Sequence, residues 1–135
     1  MRYLLDTNVL SEVIRKEPNR GVLKRLDEIS PRDAMTSVVC VAELRHGAAR
    51  VAHGADLWKR ISREILSHVD ILPLGEAEAI RAGDLLATLE ARGEPIGMED
   101  VWIGATALEH QLTVVTRNLK HFRRIAGLVS ESWWT

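Results

Sequence analysis

The 135-residue chain has a single cysteine, few aromatic residues and almost no net charge. One cysteine excludes an intramolecular disulfide, and the place of Cys40 in the apolar run 38–42 predicts a buried small side chain rather than a nucleophile. A formal charge of −1 argues against non-specific coating of nucleic acid, although it leaves room for local basic patches. Disulfide-stapled domains and strongly basic nucleic-acid-coating proteins are therefore excluded.

Long hydrophobic runs are also missing from the sequence. No segment approaches the ~18 consecutive apolar residues of a membrane span, and the first residues resemble a strand rather than a secretory signal. We therefore expect a cytoplasmic protein without membrane contact. Because 46% of the residues are hydrophobic and the length is enough for one core, we expect a single domain over residues 1–135.

Short apolar strands alternate with longer helical patterns along the chain. Strands are predicted before Asp6 and at 33–37, 69–72, 112–116 and 128–130, and helices at 8–15, 19–29, 38–49, 55–67 and 76–91 and from residue 100 onward. The pattern predicts caps at Asn19 and Ser37, and the inward-facing residues Ile80, Gly83, Leu86 and Ala87 in the helix 76–91. This alternation predicts an α/β fold, a three-layer α/β/α sandwich with a mostly parallel central sheet.

Three carboxylates stand out because they lie in otherwise apolar segments. Asp6 ends the first strand, where open α/β sheets place their ligand sites; Glu43 lies mid-helix beside apolar neighbours; and Asp100 opens a later helix. A buried carboxylate is costly unless a cation or hydrogen-bond donors compensate it. Oxygen ligands without cysteine or paired histidine favour Mg²⁺ or Mn²⁺ over zinc. Such an ion would activate water for attack on a phosphodiester and stabilise the leaving oxygen.

Each carboxylate also has a purely structural interpretation. Asp6 has the residue type of a helix cap, and Asp100 suits the dipole in the first turn of a helix. Glu43 could form a buried pair with Arg45 or His46. The metal-site hypothesis therefore depends on the three acids coming together.

A basic run follows the strand at 112–116. It contains Arg117, Lys120, His121, Arg123 and Arg124, with no acid from 117 to 130. RNA phosphate could dock on this run, with Arg45 as a further contact, or the run could be a solvated surface turn. The five histidines are scattered without metal-ligand spacing, so we assign them no catalysis. Trp133 and Trp134 suit core or interface packing better than base stacking.

Four segments of the chain together resemble a known protein family. They are residues 5–11, 41–47, 100–107 and 115–122, in that order and spread over essentially the whole sequence. The segments resemble the PIN-domain ribonucleases, and among these the VapC-type toxins of bacterial toxin–antitoxin pairs, including the FitB-like branch.

The resemblance implies a Mg²⁺- or Mn²⁺-dependent endoribonuclease. Its metal ligands would be Asp6, Glu43 and Asp100, its supporting residues Thr7, Thr116 and Asn118, and its weaker substrate contacts Arg45, Arg117 and Lys120. It also implies a homodimer and a small antitoxin whose tail occupies the acidic groove, with DNA contacted only through that antitoxin. Many relatives carry a fourth acid within 116–122, where this chain has Asn118 and His121, so a second ion would lack one acidic ligand.

Two other functions also fit parts of the pattern. A haloacid-dehalogenase-like phosphatase also begins with an aspartate after its first strand, but it needs a second acid two residues later, where this chain has Asn8. A non-catalytic binding protein could keep the PIN-like fold and act only through a partner.

Overall fold

A five-stranded parallel sheet forms the centre of the computed structural model, which describes residues 1–135. The strands are β1 (Tyr3–Leu5), β2 (Ala34–Ser37), β3 (Asp70–Leu72), β4 (Thr113–Val115) and β5 (Ser130–Glu131). Their order is β3-β2-β1-β4-β5, and all four neighbouring pairs are parallel. The chain first builds the sheet outward from β1 and then returns to its other side, so the switch point of the topology lies between β1 and β4.

Seven α-helices connect and flank the strands. They are α1 (Thr7–Glu12), α2 (Arg20–Glu28), α3 (Val38–Ala49), α4 (Gly54–Glu64), α5 (Glu76–Ala91), α6 (Met98–His110) and α7 (Leu119–Phe122), with 3-10 turns at Pro31–Asp33 and Leu66–His68. None of these helices has the length and apolarity required to span a bilayer.

Both faces of the sheet are covered. Tyr3, Leu4 and Leu5 of β1 are all buried, although successive strand residues point to opposite faces. The three residues of β4 are buried in the same way. The expected three-layer α/β/α arrangement is thereby confirmed, and the sheet is parallel throughout.

The main core lies around β1 and β4 and extends to the C-terminal segment. Trp133 is 3% exposed and packs edge-on against Tyr3, with 5.3 Å between ring centroids, which confirms its predicted core role. Cys40 is fully buried, as expected, and burial raises the pKa of its thiol to about 11. Cys40 therefore acts as a small buried side chain, which explains its position in an apolar run.

Local capping matches the sequence more closely than the helix lengths do. The Asn19 side chain accepts from the backbone N–H groups of Gly21 and Val22, and Ser37 accepts from Val39 N–H, so both predicted caps are confirmed. Helices α1 and α4 end at Glu12 and Glu64, earlier than the apolar pattern predicts, and β5 begins only at Ser130. The ends differ because 3-10 and turn residues can continue an apolar pattern without continuing the helix.

The predicted inner face of α5 is wrong at three of its four residues, since of these only Leu86 packs against the neighbouring helix. Ile80 is 61% exposed, and Gly83 and Ala87 are exposed as well, whereas Ala82 and Leu89 are buried against α6. Small apolar residues occur on both sides of this helix, so spacing alone did not determine which side packs. The buried side also contains a glutamate, Glu78.

Candidate metal centre

The acidic residues meet at the carboxyl end of β1, beside the switch point of the sheet. The backbone N–H of Asp6 donates to the Val115 carbonyl at 3.0 Å, so the ends of β1 and β4 stay paired up to the site. A polar depression of about 340 Å³ opens there. It is lined by Asp6, Thr7, Asn8, Ser11, Glu43, Asp100 and Asn118. All three predicted acids therefore lie on one surface.

Asp6 both caps a helix and lines this depression. Its Oδ1 accepts from Thr7 N–H at 2.8 Å, which makes it the N-cap of α1. Its Oδ2 accepts from the Thr116 hydroxyl at 2.8 Å and from the Asn8 amide at 3.3 Å. The helix-cap and metal-ligand interpretations of Asp6 are therefore compatible, because a cap at this strand end also faces the depression.

The loop after β4 is tied to the start of α1. Asn118 N–H donates to the hydroxyl of the buried Thr116 at 2.9 Å, and Arg117 N–H donates to Asn8 Oδ1 at 3.1 Å. Thr116 in turn donates to Asp6. This connected set of hydrogen bonds fixes the orientation of the Asp6 carboxylate before any ligand binds.

Glu43 reaches the depression from the middle of α3. Its residue is exposed, so its expected position on a buried apolar face is wrong; the side chain instead extends over the site and accepts from the Thr7 hydroxyl at 3.1 Å. Carboxylate oxygens of Asp6 and Glu43 lie within 4.8 Å of each other. The alternative pairing of Glu43 with Arg45 or His46 does not form.

Asp100 is the third residue of α6, and its side chain is 19% exposed. Its Oδ2 lies 2.8 Å from Nδ1 of His121, and the same Nδ1 lies 2.9 Å from the side-chain nitrogen of Asn118. Asp100 is therefore the one acid of the three with a basic side chain in contact with it.

Asp6 and Glu43, unlike Asp100, have no basic side chain in contact with them. Burial raises the pKa of the Asp6 carboxyl above its ordinary value, and the charge of Asp100 adds to this, although bonds from Thr116 and Thr7 act in the opposite direction. Burial likewise raises the pKa of Glu43, and the charge of Asp6 contributes. No lysine or arginine nitrogen lies within 4.0 Å of either carboxylate. Carboxylate, hydroxyl and amide oxygens around this uncompensated charge fit a hard divalent cation.

The predicted basic contacts lie outside the depression. The Arg45 guanidinium stacks over Trp58 at 5.1 Å, and that of Arg117 stacks over Trp134 at 5.4 Å. Lys120 is exposed on α7. Their role in RNA binding stays a prediction.

Sequence reasoning missed three residues of the site. Asn8 and Ser11 line the depression from α1, and His121 contacts Asp100 from α7. The available signal for the first two was helical spacing, because Ser11 follows Asn8 by three positions and Thr7 by four. His121 had only its place in the basic run, because the fold of the segment after β4 determines where its ring points.

Comparison with known proteins was consistent with this arrangement. The sequence profile described as "PIN domain" matches residues 3–128. Toxin FitB of Neisseria gonorrhoeae is 36% identical, with 96% of this chain and 97% of that protein covered. Ribonuclease VapC1 of Haemophilus influenzae is 31% identical, with 98% of each chain covered.

A solved structure shows the same fold. The crystal structure of VapBC2 from Rickettsia felis, bound to a DNA fragment from its promoter, superposes with a TM-score of 0.90 at 28% identity. The match covers 98% of this chain and 99% of the other.

Proposed function

The chain belongs to the PIN domain family, and from that premise we propose that it is a divalent-metal-dependent endoribonuclease acting as the toxin of a type II toxin–antitoxin pair. The observation that carries the proposal is the uncompensated charge of Asp6, a carboxylate that is 6% exposed and lies within 4.8 Å of Glu43. Asp6 accepts hydrogen bonds from three neutral donors but has no cation beside it, so its charge stays uncompensated. The relatives named as a ribonuclease and a toxin indicate the reaction class.

Asp6, Glu43 and Asp100 would hold the ion, which we propose to be Mg²⁺ or Mn²⁺ because the lining offers oxygen ligands. When bound, such an ion supplies an activated water and stabilises charge on the leaving oxygen of a phosphodiester. The protein orients the ligands: Thr116 and Asn8 fix Asp6, and Thr7 holds Glu43. Asn118 completes the rim of the depression.

We propose that basic side chains outside the depression bind the RNA backbone. Arg117 directly follows Thr116, and its guanidinium lies over the indole of Trp134. Lys120 lies three residues further along the chain, on α7, and Arg45 lies on α3 two residues after Glu43. Cations at the rim hold phosphates without reducing the negative charge that the metal requires.

A toxin requires a partner that neutralises it, so we propose a small cognate antitoxin, with its tail in the acidic depression, and a homodimer of the chain itself. The relative from Rickettsia felis was crystallised as VapBC2 on promoter DNA. We propose by analogy that this chain contacts DNA only through its antitoxin. The phosphatase alternative has no support, since the matched family is a different one.

The proposal is tested by RNA cleavage with purified protein. Wild type should cleave RNA when Mg²⁺ or Mn²⁺ is added and should stop when the ion is chelated. Asp6→Asn and Asp100→Asn should each lower the rate by about 100-fold or more, because each removes a negative ligand of the ion while keeping the size of the side chain.

Asp84→Asn is the matched control, because this exposed aspartate of α5 lies outside the depression. It should cleave at the wild-type rate. Cleavage by Asp6→Asn equal to that of wild type, in preparations free of contaminating nuclease, would overturn the mechanism. Folded wild type that binds RNA or a partner but never cleaves would support the non-catalytic alternative.

A further inference from the structure

His121 contacts an acid of the site that no other basic residue reaches. Its Nδ1 lies 2.8 Å from Asp100 Oδ2, and the imidazole is 36% exposed, so it stands at the rim of the depression rather than in its lining. His121 thus approaches Asp100 from outside. This position leaves the other carboxylate oxygen of Asp100, Oδ1, without a contact to His121.

The two neighbours of Nδ1 determine what this nitrogen does. A carboxylate oxygen can only accept a hydrogen bond, so the 2.8 Å contact requires a proton on Nδ1. The Asn118 amide at 2.9 Å is compatible with that proton when its oxygen, rather than its nitrogen, faces the imidazole. Nδ1–H is then shared between Asp100 Oδ2 and the Asn118 amide oxygen.

A hydrogen-bonded path consequently joins the two aspartates of the site. It runs from Asp6 through the Thr116 hydroxyl to the backbone N–H of Asn118, and from the Asn118 side chain through His121 to Asp100. Carboxylates that bind metals are commonly held by such outer hydrogen bonds, and loss of one typically weakens metal binding 10–100-fold.

We infer that His121 is a positioning residue for the metal site: its Nδ1–H holds Asp100 Oδ2 and thereby presents Oδ1 to the ion. The inference rests on the proposed function, because it assumes that the depression binds a divalent cation. It assigns to His121 a specific task that its place in a basic run does not suggest.

Binding of Mn²⁺ measures this role without reference to cleavage. Free Mn²⁺ is counted by its electron paramagnetic resonance signal while protein is titrated with the ion. His121→Leu should raise the Kd for Mn²⁺ about tenfold or more, because Asp100 loses the bond that orients it. His121→Asn should restore binding to within about threefold of wild type, since its amide nitrogen occupies the place of Nδ1 and can donate the same bond.

His53→Leu is the matched control, because this exposed histidine makes no side-chain hydrogen bond and lies outside the site. It should bind Mn²⁺ as wild type does. Circular dichroism melting of each variant identifies any that fail to fold, and for those the donor-preserving His121→Asn still reports on the site.

The outcomes separate the two proposals. Equal Mn²⁺ affinity of folded His121→Leu and wild type would overturn the positioning role and leave the proposed function intact. Failure of folded His121→Asn to recover Mn²⁺ affinity would also overturn the positioning role, because a hydrogen-bond donor to Asp100 would then be insufficient for metal binding. Wild type that binds neither Mn²⁺ nor Mg²⁺ would instead contradict the proposed function itself.

Discussion

Buried carboxylates in two parts of this molecule have opposite pKa shifts. Glu12 and Glu78, which lie away from the depression, have pKa values lowered in the fold, whereas burial raises the pKa of Asp6. All three are less than 9% exposed, so burial alone does not explain the difference. The hydrogen-bond partners explain the difference. The two glutamates each contact a basic side chain and a backbone N–H, whereas Asp6 has only neutral donors.

The partners of Glu12 and Glu78 are residues of the same fold, and their contacts with these glutamates stabilise it. Burial would raise the pKa of Glu12, but Asn19 N–H at 2.8 Å and Arg15 at 3.2 Å outweigh it. For Glu78 the bond with His110 at 2.9 Å is the largest cause of the lowered pKa. A carboxylate that stabilises the protein is compensated within it, and one reserved for a ligand is not.

The largest effect on stability is expected at Glu12. Glu12→Ala leaves the partly buried Asn19 N–H without its acceptor and opens space behind α1, so the free energy of unfolding should fall by about 2–3 kcal/mol. Urea unfolding measures this, with Glu17→Ala as the control, since Glu17 is exposed and should change stability by less than about 0.5 kcal/mol. Equal losses for both variants would show that the internal partners of Glu12 contribute nothing.

Glu78→Gln should cost less, about 1 kcal/mol at pH 7, because glutamine keeps one acceptor for Gly75 N–H or His110. The pKa of Glu78 is lowered from 4.5, so its contribution is present above the unfolded pKa and is lost as the pH falls through the folded value. The difference in stability between wild type and variant should therefore begin to close once the pH falls below the unfolded pKa of 4.5.

This difference is measured by comparing the melting temperatures of wild type and Glu78→Gln from pH 3 to 8. The exposed Glu90→Gln is its control and should run parallel to wild type at every pH. If the difference in melting temperature between Glu78→Gln and wild type is unchanged at pH 3, the charge of the Glu78 carboxylate does not explain its contribution to stability.

The smallest effect, and the one of opposite sign, is expected at Asp6. Because the pKa of Asp6 is raised above 3.8 in the fold, the folded state binds the proton more tightly than the unfolded state does. The free energy of unfolding therefore declines as the pH rises from the unfolded pKa of Asp6 to its folded pKa. Without metal at pH 8, Asp6→Asn should be more stable than wild type by up to about 1 kcal/mol, since asparagine also caps helices. Thermal unfolding with chelator present measures this.

Added Mn²⁺ should reverse the order of those two proteins. An ion that binds only the folded state raises the melting temperature of wild type, and Asp6→Asn should not respond. A metal-free Asp6→Asn that is clearly less stable than wild type would place Asp6 with the compensated glutamates and remove the contrast between the two regions.

The sequence predicts the acids of the site better than it predicts their surroundings. Asp6 and Asp100 could be found because a strand end and a helix start have recognisable local signals. Glu43 was found for the wrong reason, since its side chain extends over an open depression rather than into an apolar face. The inner face of α5 and the direction of the His121 ring depend on packing between distant segments, which local patterns do not contain.

The double task of Asp6, cap of α1 and wall of the depression, has a genetic consequence. Any aspartate codon becomes an asparagine codon by a single base change, and asparagine suits the cap equally well. A cell under selection to disarm this protein thus has a short mutational route that removes a proposed ligand of the ion and keeps the chain folded. Such alleles would still be made, and would still present the same surface to whatever the intact protein binds.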